Sequence, residues 1–150
     1  MGKHLTLDDR MEIQKSLCAG KSFNEIADKL GKSRSTISRE VKKRYITAKK
    51  GSYGRAFNEC VHRIECKAVG ICEDEPDCVS KRCRNCLKCN SVCQNFEKEI
   101  CRRFFTPPYV CNGCDRRHNC SLEKRLYDAV TAEKEYRAEL SQSREGFNMT

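Results

Sequence analysis

Cysteine content is the strongest constraint on this chain, because thirteen of its 150 residues are cysteines. Twelve of them lie between positions 60 and 120, and Cys18 is the only one outside that stretch. Aromatic residues make up 7% of the sequence and tryptophan is absent, which is too little for one well-filled core at this length. Cross-links or bound metals commonly replace such a missing core. We therefore expect residues 59–121 to form an irregular module that is held together through its cysteines.

The spacing of the cysteines favours zinc. C-x-x-C steps occur at Cys83–Cys86, Cys86–Cys89 and Cys111–Cys114, and this spacing directs two thiolates toward one ion. Twelve thiols equal three tetrahedral sets, so we expect two to three structural zinc ions, with His62 or His118 able to replace a cysteine. The expected ligands are Cys60, Cys66, Cys72, Cys78, Cys83, Cys86, Cys89, Cys93, Cys101, Cys111, Cys114 and Cys120. We interpret Cys18 as a small buried apolar residue.

Two other roles for the cysteines are open. The run Cys83-x₂-Cys86-x₂-Cys89-x₃-Cys93 has the spacing of a bacterial ferredoxin cluster, which would make the protein a redox sensor. That run normally continues with proline, whereas Gln94 follows here, so an iron–sulfur cluster is the less favoured cofactor. A disulfide framework is less favoured still, because the N-terminus lacks an apolar signal core.

The positive charge is concentrated in the first third of the chain. Residues 1–58 carry a net charge of +8, residues 59–121 carry +2 and residues 122–150 carry −1. A local excess of this size favours a polyanionic partner, most commonly nucleic acid. No apolar run approaches the roughly 18 residues that a membrane span needs, so the sequence excludes a membrane protein.

The first third predicts three short helices. The expected N-terminal capping residues are Thr6, Ser22 and Ser33, and the glycines expected to end the first two helices are Gly20 and Gly31. The residues that we expect to face the core are Leu7, Met11, Gln14, Leu17 and Cys18, then Phe23, Ile26, Ala27 and Leu30, then Ile37 and Val41.

The second and third helices resemble a DNA-binding pair. Two short helices joined by a tight glycine-containing turn, the second basic and rich in hydroxyls, are typical of a helix-turn-helix. Glu40 is the only acid between Arg34 and Arg44, whereas a merely solvated face of a three-helix bundle would mix both signs. The residues expected to reach base edges are Arg34, Ser35, Thr36 and Arg39. Those expected to hold phosphates are Lys32, Lys42, Lys43 and Arg44. The predicted set for binding double-stranded DNA also includes Ser33 and Ser38.

The remaining segments are a linker and a C-terminal helix. Residues 45–58 contain two glycines and no sustained periodicity, which predicts a basic linker. Ser121 is expected to cap a helix over 122–145, with Gly146 ending it and 146–150 forming a truncated tail. Its apolar stripe is Leu122, Leu126, Ala129, Val130, Tyr136 and Leu140. We interpret the stripe as an internal contact rather than a dimer seam, and a homodimer or a higher assembly stays open.

The predicted fold is thus an all-α helix-turn-helix domain over 1–44, the linker, an irregular cysteine-rich zinc module over 59–121 and a C-terminal α-helix. The sequence contains no glycine-rich phosphate loop, no Ser/His/Asp set and no zinc site arranged for hydrolysis. We therefore expect this chain not to be an enzyme.

Four stretches resemble the N-terminal helix-turn-helix of the IS-thirty family of insertion-sequence transposases: HLTLDDR (4–10), SFNEIA (22–27), LGKS (30–33) and STISRE (35–40). The run PPYVCNGC (107–114), with Cys120, LEK (122–124) and YDA (127–129), is similar to the cysteine-rich insert of clostridial-type members. The resemblance implies recognition of the inverted repeats of a mobile element. It places cleavage and strand transfer in a separate ribonuclease-H-like domain with an Asp/Asp/Glu metal site.

The sequence therefore predicts sequence-specific DNA binding, as the end-recognition part of a bacterial transposase in the cytoplasm, at the nucleoid. The alternative is a stand-alone helix-turn-helix transcriptional regulator, with an iron–sulfur redox site as one form of it.

Overall fold

The computed structural model describes residues 4–48, 50–73, 78, 82–86 and 88–148, with side chains as far as residue 144. Five α-helices are present in this part of the chain: α1 (Leu7–Cys18), α2 (Phe23–Leu30), α3 (Arg34–Arg44), α4 (Cys89–Val92) and α5 (Ala129–Asn148). Two short strands, β1 (Ile46–Ala48) and β2 (Lys124–Leu126), pair in one sheet. Single 3₁₀ turns occur at Cys83–Asn85 and Arg102–Phe105. None of the helices in these ranges is long and apolar enough to cross a bilayer.

The described residues divide into two compact units. The first unit comprises Met1–Ile46, Arg103–Cys114 and Arg125–Thr150, and the second comprises Thr47–Arg102 and Asp115–Lys124. This division differs from the predicted one, because the C-terminal helix and part of the cysteine-rich zone belong with the helix-turn-helix. Most of the predicted linker, residues 47–58, belongs to the second unit.

The three N-terminal helices begin where their capping residues predict. The Thr6 hydroxyl accepts a hydrogen bond from the Asp9 amide at 3.1 Å, and Ser22 and Ser33 cap α2 and α3 in the same manner. Gly31 ends α2 with φ of 64° and ψ of 31°, a left-handed conformation that favours glycine. These predicted helix boundaries are confirmed.

The core of the first unit joins the helix-turn-helix to the C-terminal segment. Ile37 and Val41 of α3 are fully buried, as predicted, and Phe23, Ile26 and Ala27 of α2 pack beside them. The same cluster contains Val110, Tyr127 and Ala132, which come from later segments of the chain. α5 packs on α1.

The predicted buried face of α1 is partly wrong. Leu7 is 37% exposed and Met11 is 54% exposed, whereas Ile13 and Leu17 are buried. Cys18 is exposed, so the prediction that it is a buried apolar residue is also wrong. The buried face instead includes Arg10, which an apolar pattern excludes because the pattern assumes that charged side chains stay in water.

The C-terminal helix differs from its prediction at both ends. α5 begins at Ala129 because the Asp128 carboxylate accepts hydrogen bonds from the amide of Thr131 at 3.0 Å and from its hydroxyl at 2.7 Å. Ser121 does not cap it, since its hydroxyl donates to the Asn58 carbonyl. The helix also continues through Gly146 to Asn148, so the predicted stop at Gly146 is wrong.

The second unit contains little regular structure among its described residues. It has the 3₁₀ turn at Cys83–Asn85, the single turn of α4 and an isolated antiparallel bridge between Cys60 and Lys98. All thirteen cysteines lie among the described residues, and none of them is in a disulfide.

Candidate nucleic-acid interface and cysteine centre

Helix α3 presents one face to solvent and the other to the core. Its inward face is set by Ile37 and Val41, which are 0% exposed. Six residues of the predicted DNA-binding set are exposed: Ser33, Arg34, Ser35, Arg39, Lys42 and Lys43. Three more are half-buried: Lys32, Thr36 and Ser38. Nine of the ten predicted residues are therefore accessible from solvent at least in part.

Two arginines lie on the exposed face of α3. Among the described residues, neither Arg34 nor Arg39 is within ion-pair distance of an acid. Ser33 and Thr36 are engaged locally, because their hydroxyl oxygens are 2.8 Å apart and the Thr36 amide donates to Ser33. The guanidinium groups of Arg34 and Arg39 are thus the strongest unsatisfied donors on the face.

Lysines at the C-terminal end of α3 have fixed neighbours. The Lys42 ammonium lies 4.3 Å from the centre of the Tyr109 ring, which in turn contacts the Phe23 ring at 5.9 Å. The Lys43 ammonium lies 3.3 Å from a carboxylate oxygen of Glu139. Tyr109 therefore holds Lys42 without neutralising it, whereas Glu139 offsets much of the charge of Lys43.

Arg44 lies inside the first unit, so the predicted phosphate contact of this residue does not fit the structure. It is 4% exposed, and its guanidinium donates to Glu139 Oε2 at 2.8 Å and to Glu40 Oε1 at 3.3 Å. Helical periodicity explains the placement, because positions 37, 41 and 44 share one side of α3. We leave Arg44 out of the candidate interface.

Glu40 is also turned inward, at the centre of a buried network. Its carboxylate accepts from Arg10 Nε at 2.9 Å and from the Tyr127 hydroxyl at 2.7 Å. Burial raises the pKa of Tyr127, and the Glu40 carboxylate raises it further, so the phenol stays protonated and donates. Because this acid is buried and paired with Arg10, the outward face of α3 carries cations without an acid of its own.

Five cysteines of the second unit lie around one cavity. Cys60, Cys66, Cys83, Cys89 and Cys93 line a small cavity of about 20 Å³, which is room for a single atom-sized occupant. Two sulfur atoms there accept hydrogen bonds, from the Asn58 side-chain amide to Cys89 at 3.4 Å and from the His62 backbone amide to Cys60 at 3.5 Å.

Burial raises the pKa of the Cys89 thiol to about 11, and the neighbouring thiols Cys86, Cys93, Cys60 and Cys66 add to the shift. A cation among these sulfurs would reverse it by stabilising the thiolates. Thiolates are ligands that zinc prefers, but no three metal-binding side chains among the described residues stand close enough to hold an ion.

The other predicted ligands are placed elsewhere. Cys111 and Cys114 lie in the first unit, where the Cys114 amide donates to the Cys111 carbonyl at 3.0 Å. His62 is half-exposed, with Nε2 3.8 Å from Glu97. The ligands that do not line the small cavity are Cys72, Cys78, Cys86, Cys101, Cys111, Cys114 and Cys120.

Two groups that shape the interface do not follow from the sequence pattern. One is the buried network of Arg10, Glu40 and Tyr127, for which the spacing of Glu40 and Arg44, four residues apart on one helix, was the available signal. The other is the aromatic contact of Tyr109 with Lys42. Nothing in the local sequence indicates it, because these residues are far apart along the chain.

Comparison with known proteins supports the N-terminal assignment. A family model described as a helix-turn-helix domain matches residues 1–44, and this kind of domain is found in transposase-like proteins. The matched range contains α1, α2 and α3 and therefore the whole exposed face of α3. A helix-turn-helix domain implies DNA binding. No curated protein and no solved structure matches the chain.

Proposed function

We propose that this protein binds double-stranded DNA sequence-specifically, with α3 as its recognition helix. The observation that carries the proposal is the exposed face of α3. It holds two arginines that have no acidic partner among the described residues, while the only acid of the helix, Glu40, is buried and paired with Arg10. Such a face suits a polyanion, and the rigid core contacts of Ile37 and Val41 hold it in one orientation.

The residues of α3 divide into two roles. Arg34 and Arg39 can donate bidentately to the O6 and N7 acceptors of guanine in the major groove, which gives sequence preference. Ser35 can serve a base or a phosphate. Lys42 carries a point charge at the far end of the helix, and its role is a phosphate contact that sets register without reading sequence.

The finer role that we propose is recognition of the inverted repeats of a bacterial mobile element, as the end-binding part of a transposase in the cytoplasm. Its support is the resemblance of residues 4–40 and 107–129 to IS-thirty family transposases. In this proposal, DNA cleavage and strand transfer belong to a separate catalytic domain. A stand-alone transcriptional regulator is the competing role for the same interface.

We also propose that zinc holds the cysteine-rich part together. Five cysteines line one atom-sized cavity, and backbone and side-chain amides already donate to two of their sulfurs. Zinc would supply the cross-links that this polar, irregular segment lacks in apolar core. Elemental analysis of protein purified under reducing conditions should give two to three zinc ions per chain, and about four iron ions without zinc would favour the redox-sensor alternative.

The experiment that tests the DNA-binding proposal is selection of binding sites from a pool of random duplexes. We expect one recurrent sequence to be enriched, and an unenriched pool would contradict sequence-specific binding. The selected sequence also separates the two roles. If the protein is part of a transposase, the sequence should match the terminal inverted repeats of a mobile element. If the protein is a regulator, the sequence should match a promoter region without such repeats.

A further inference from the structure

A cationic cleft lies beside the recognition helix, within the first unit. It has a volume of about 460 Å³ and is bounded by the turn before α2, the start of α3 and residues 103–114. Three cationic side chains line it, Lys21, Arg34 and Arg103, and none of the described residues that line it is acidic. Only Arg34 belongs to the predicted DNA-binding set.

The cations of the cleft differ from the buried arginines of the same unit in their neighbours. Among the described residues, none of the three cations is within ion-pair distance of an acid, whereas Arg10 and Arg44 each contact two or more carboxylates. Phe23 and Pro107 contribute apolar wall, which has a low dielectric constant and strengthens the field inside the cleft. The cleft therefore suits a compact anion.

Residues 103–114 are held firmly against the helix-turn-helix. A Cβ atom at Gly113 would lie 2.4 Å from the backbone oxygen of Leu17, so this approach to the end of α1 requires glycine. Asn112 donates to the Tyr127 carbonyl at 2.9 Å and accepts from the Tyr127 amide at 2.8 Å. These contacts hold the end of this segment, which lines the cleft together with Arg103, against α1 and Tyr127.

We propose that Lys21 and Arg103 of this cleft bind a backbone phosphate of the DNA whose major groove takes α3, while Arg34, at the border of the cleft, stays available for a base edge. This inference rests on the proposed function and extends the interface to a segment of the cysteine-rich zone. Arg34 both lines the cleft and opens α3, so a phosphate in the cleft borders the groove that the helix enters. Two amides at the start of α2 are already satisfied within the capping box, because Ser22 N donates to the Glu25 carboxylate and Glu25 N donates to the Ser22 hydroxyl.

The test measures the affinity of the full chain, purified under reducing conditions, for the selected duplex and for a random duplex over a range of salt concentrations. The variants are Lys21→Gln and Arg103→Gln, and the matched control is Arg102→Gln, which removes an exposed neighbouring charge outside the cleft. Each cleft variant should lower the slope of log K against log salt by about 1. Affinity should fall about fivefold on both duplexes near 0.15 M salt, the value of one phosphate contact by counterion release.

The outcomes separate the cleft from the function itself. Cleft variants that match Arg102→Gln in slope and affinity, while Arg39→Ala loses preference for the selected duplex, would overturn the cleft and leave DNA binding standing. Wild-type protein that binds neither duplex would overturn both. Inorganic phosphate is the other anion with the same chemistry that the cleft could bind. If inorganic phosphate shifts the Arg103 amide resonance of the wild type, but both cleft variants keep the wild-type affinity for DNA, then the cleft binds free phosphate and the proposal is wrong.

Discussion

The buried carboxylate of Glu40 should be the most sensitive single side chain of the first unit. It accepts hydrogen bonds from Arg10 on α1, from Tyr127 before α5 and from Arg44 on α3 itself. Glu40→Ala removes all three at once and leaves the Tyr127 hydroxyl and the Arg10 Nε proton without this acceptor. The substitution therefore disturbs the contacts that hold α3 against the two helices beside it.

The size of the effect follows from burial. Removing one partner of a buried ion pair costs roughly 3–5 kcal/mol of unfolding free energy. Both arginines keep another acid, Glu133 for Arg10 and Glu139 for Arg44, so we expect about 3 kcal/mol. This is a large share of the roughly 5–15 kcal/mol that stabilises a typical protein.

The assay is urea unfolding followed by circular dichroism at neutral pH. Glu139→Ala is the matched control, because it removes the same chemical group from the same Arg44 at a position where the side chain is 41% exposed. It should cost much less than Glu40→Ala, because solvent screens an exposed ion pair. Glu40→Gln keeps the side-chain shape, so its loss of unfolding free energy should lie between those of Glu40→Ala and Glu139→Ala. This variant provides the measurement if Glu40→Ala does not fold. Equal costs for Glu40→Ala and Glu139→Ala would refute the central position of this network.

Three further predictions concern separate contacts. A double-mutant cycle of Tyr109→Leu and Lys42→Met should give a coupling of about 0.5–1 kcal/mol in unfolding free energy, and a coupling near zero would show that the ring does not hold the ammonium. The hydrogen bond from Arg44 lowers the pKa of Glu139, so the contribution of Glu139 to stability is present above the ordinary glutamate pKa and is lost as pH falls through the lowered value. Unfolding measured over a range of acid pH should show this loss of stability, and Glu139→Gln should reduce the loss. Identical pH profiles for the variant and the wild type would contradict the prediction. Under reducing conditions, chelation should unfold the second unit while the helical circular dichroism signal of α1–α3 largely remains, and zinc-free protein whose second unit stays protected from amide exchange would contradict a structural metal.

Local signals predicted the helix-turn-helix well. Thr6, Ser22 and Ser33 cap their helices through hydrogen bonds to amides three residues later, so the information lies within one turn of chain. Ile37 and Val41 face inward because they are spaced by one helical turn. A family model matches the same range, which gives this part independent support.

Contacts between distant segments were not predictable in the same way. Arg10 is buried because acids from α3 and α5 reach it, and neither acid is close to it along the chain. Asp128, and not the expected Ser121, caps α5, because Lys124–Leu126 form strand β2 and interrupt the predicted helix. Cys111 and Cys114 share a unit with α1, although spacing alone groups them with the other cysteines.

The ratio of affinities for the selected duplex and a random duplex measures whether α3 reads base sequence. Arg39→Ala should cost about 1–3 kcal/mol on the selected duplex and little on the random one, so the ratio should fall. Lys42→Ala should weaken both duplexes alike, so the ratio should stay at the wild-type value while the salt slope decreases. If Arg39→Ala leaves both affinities unchanged, α3 does not enter the groove and the account is wrong.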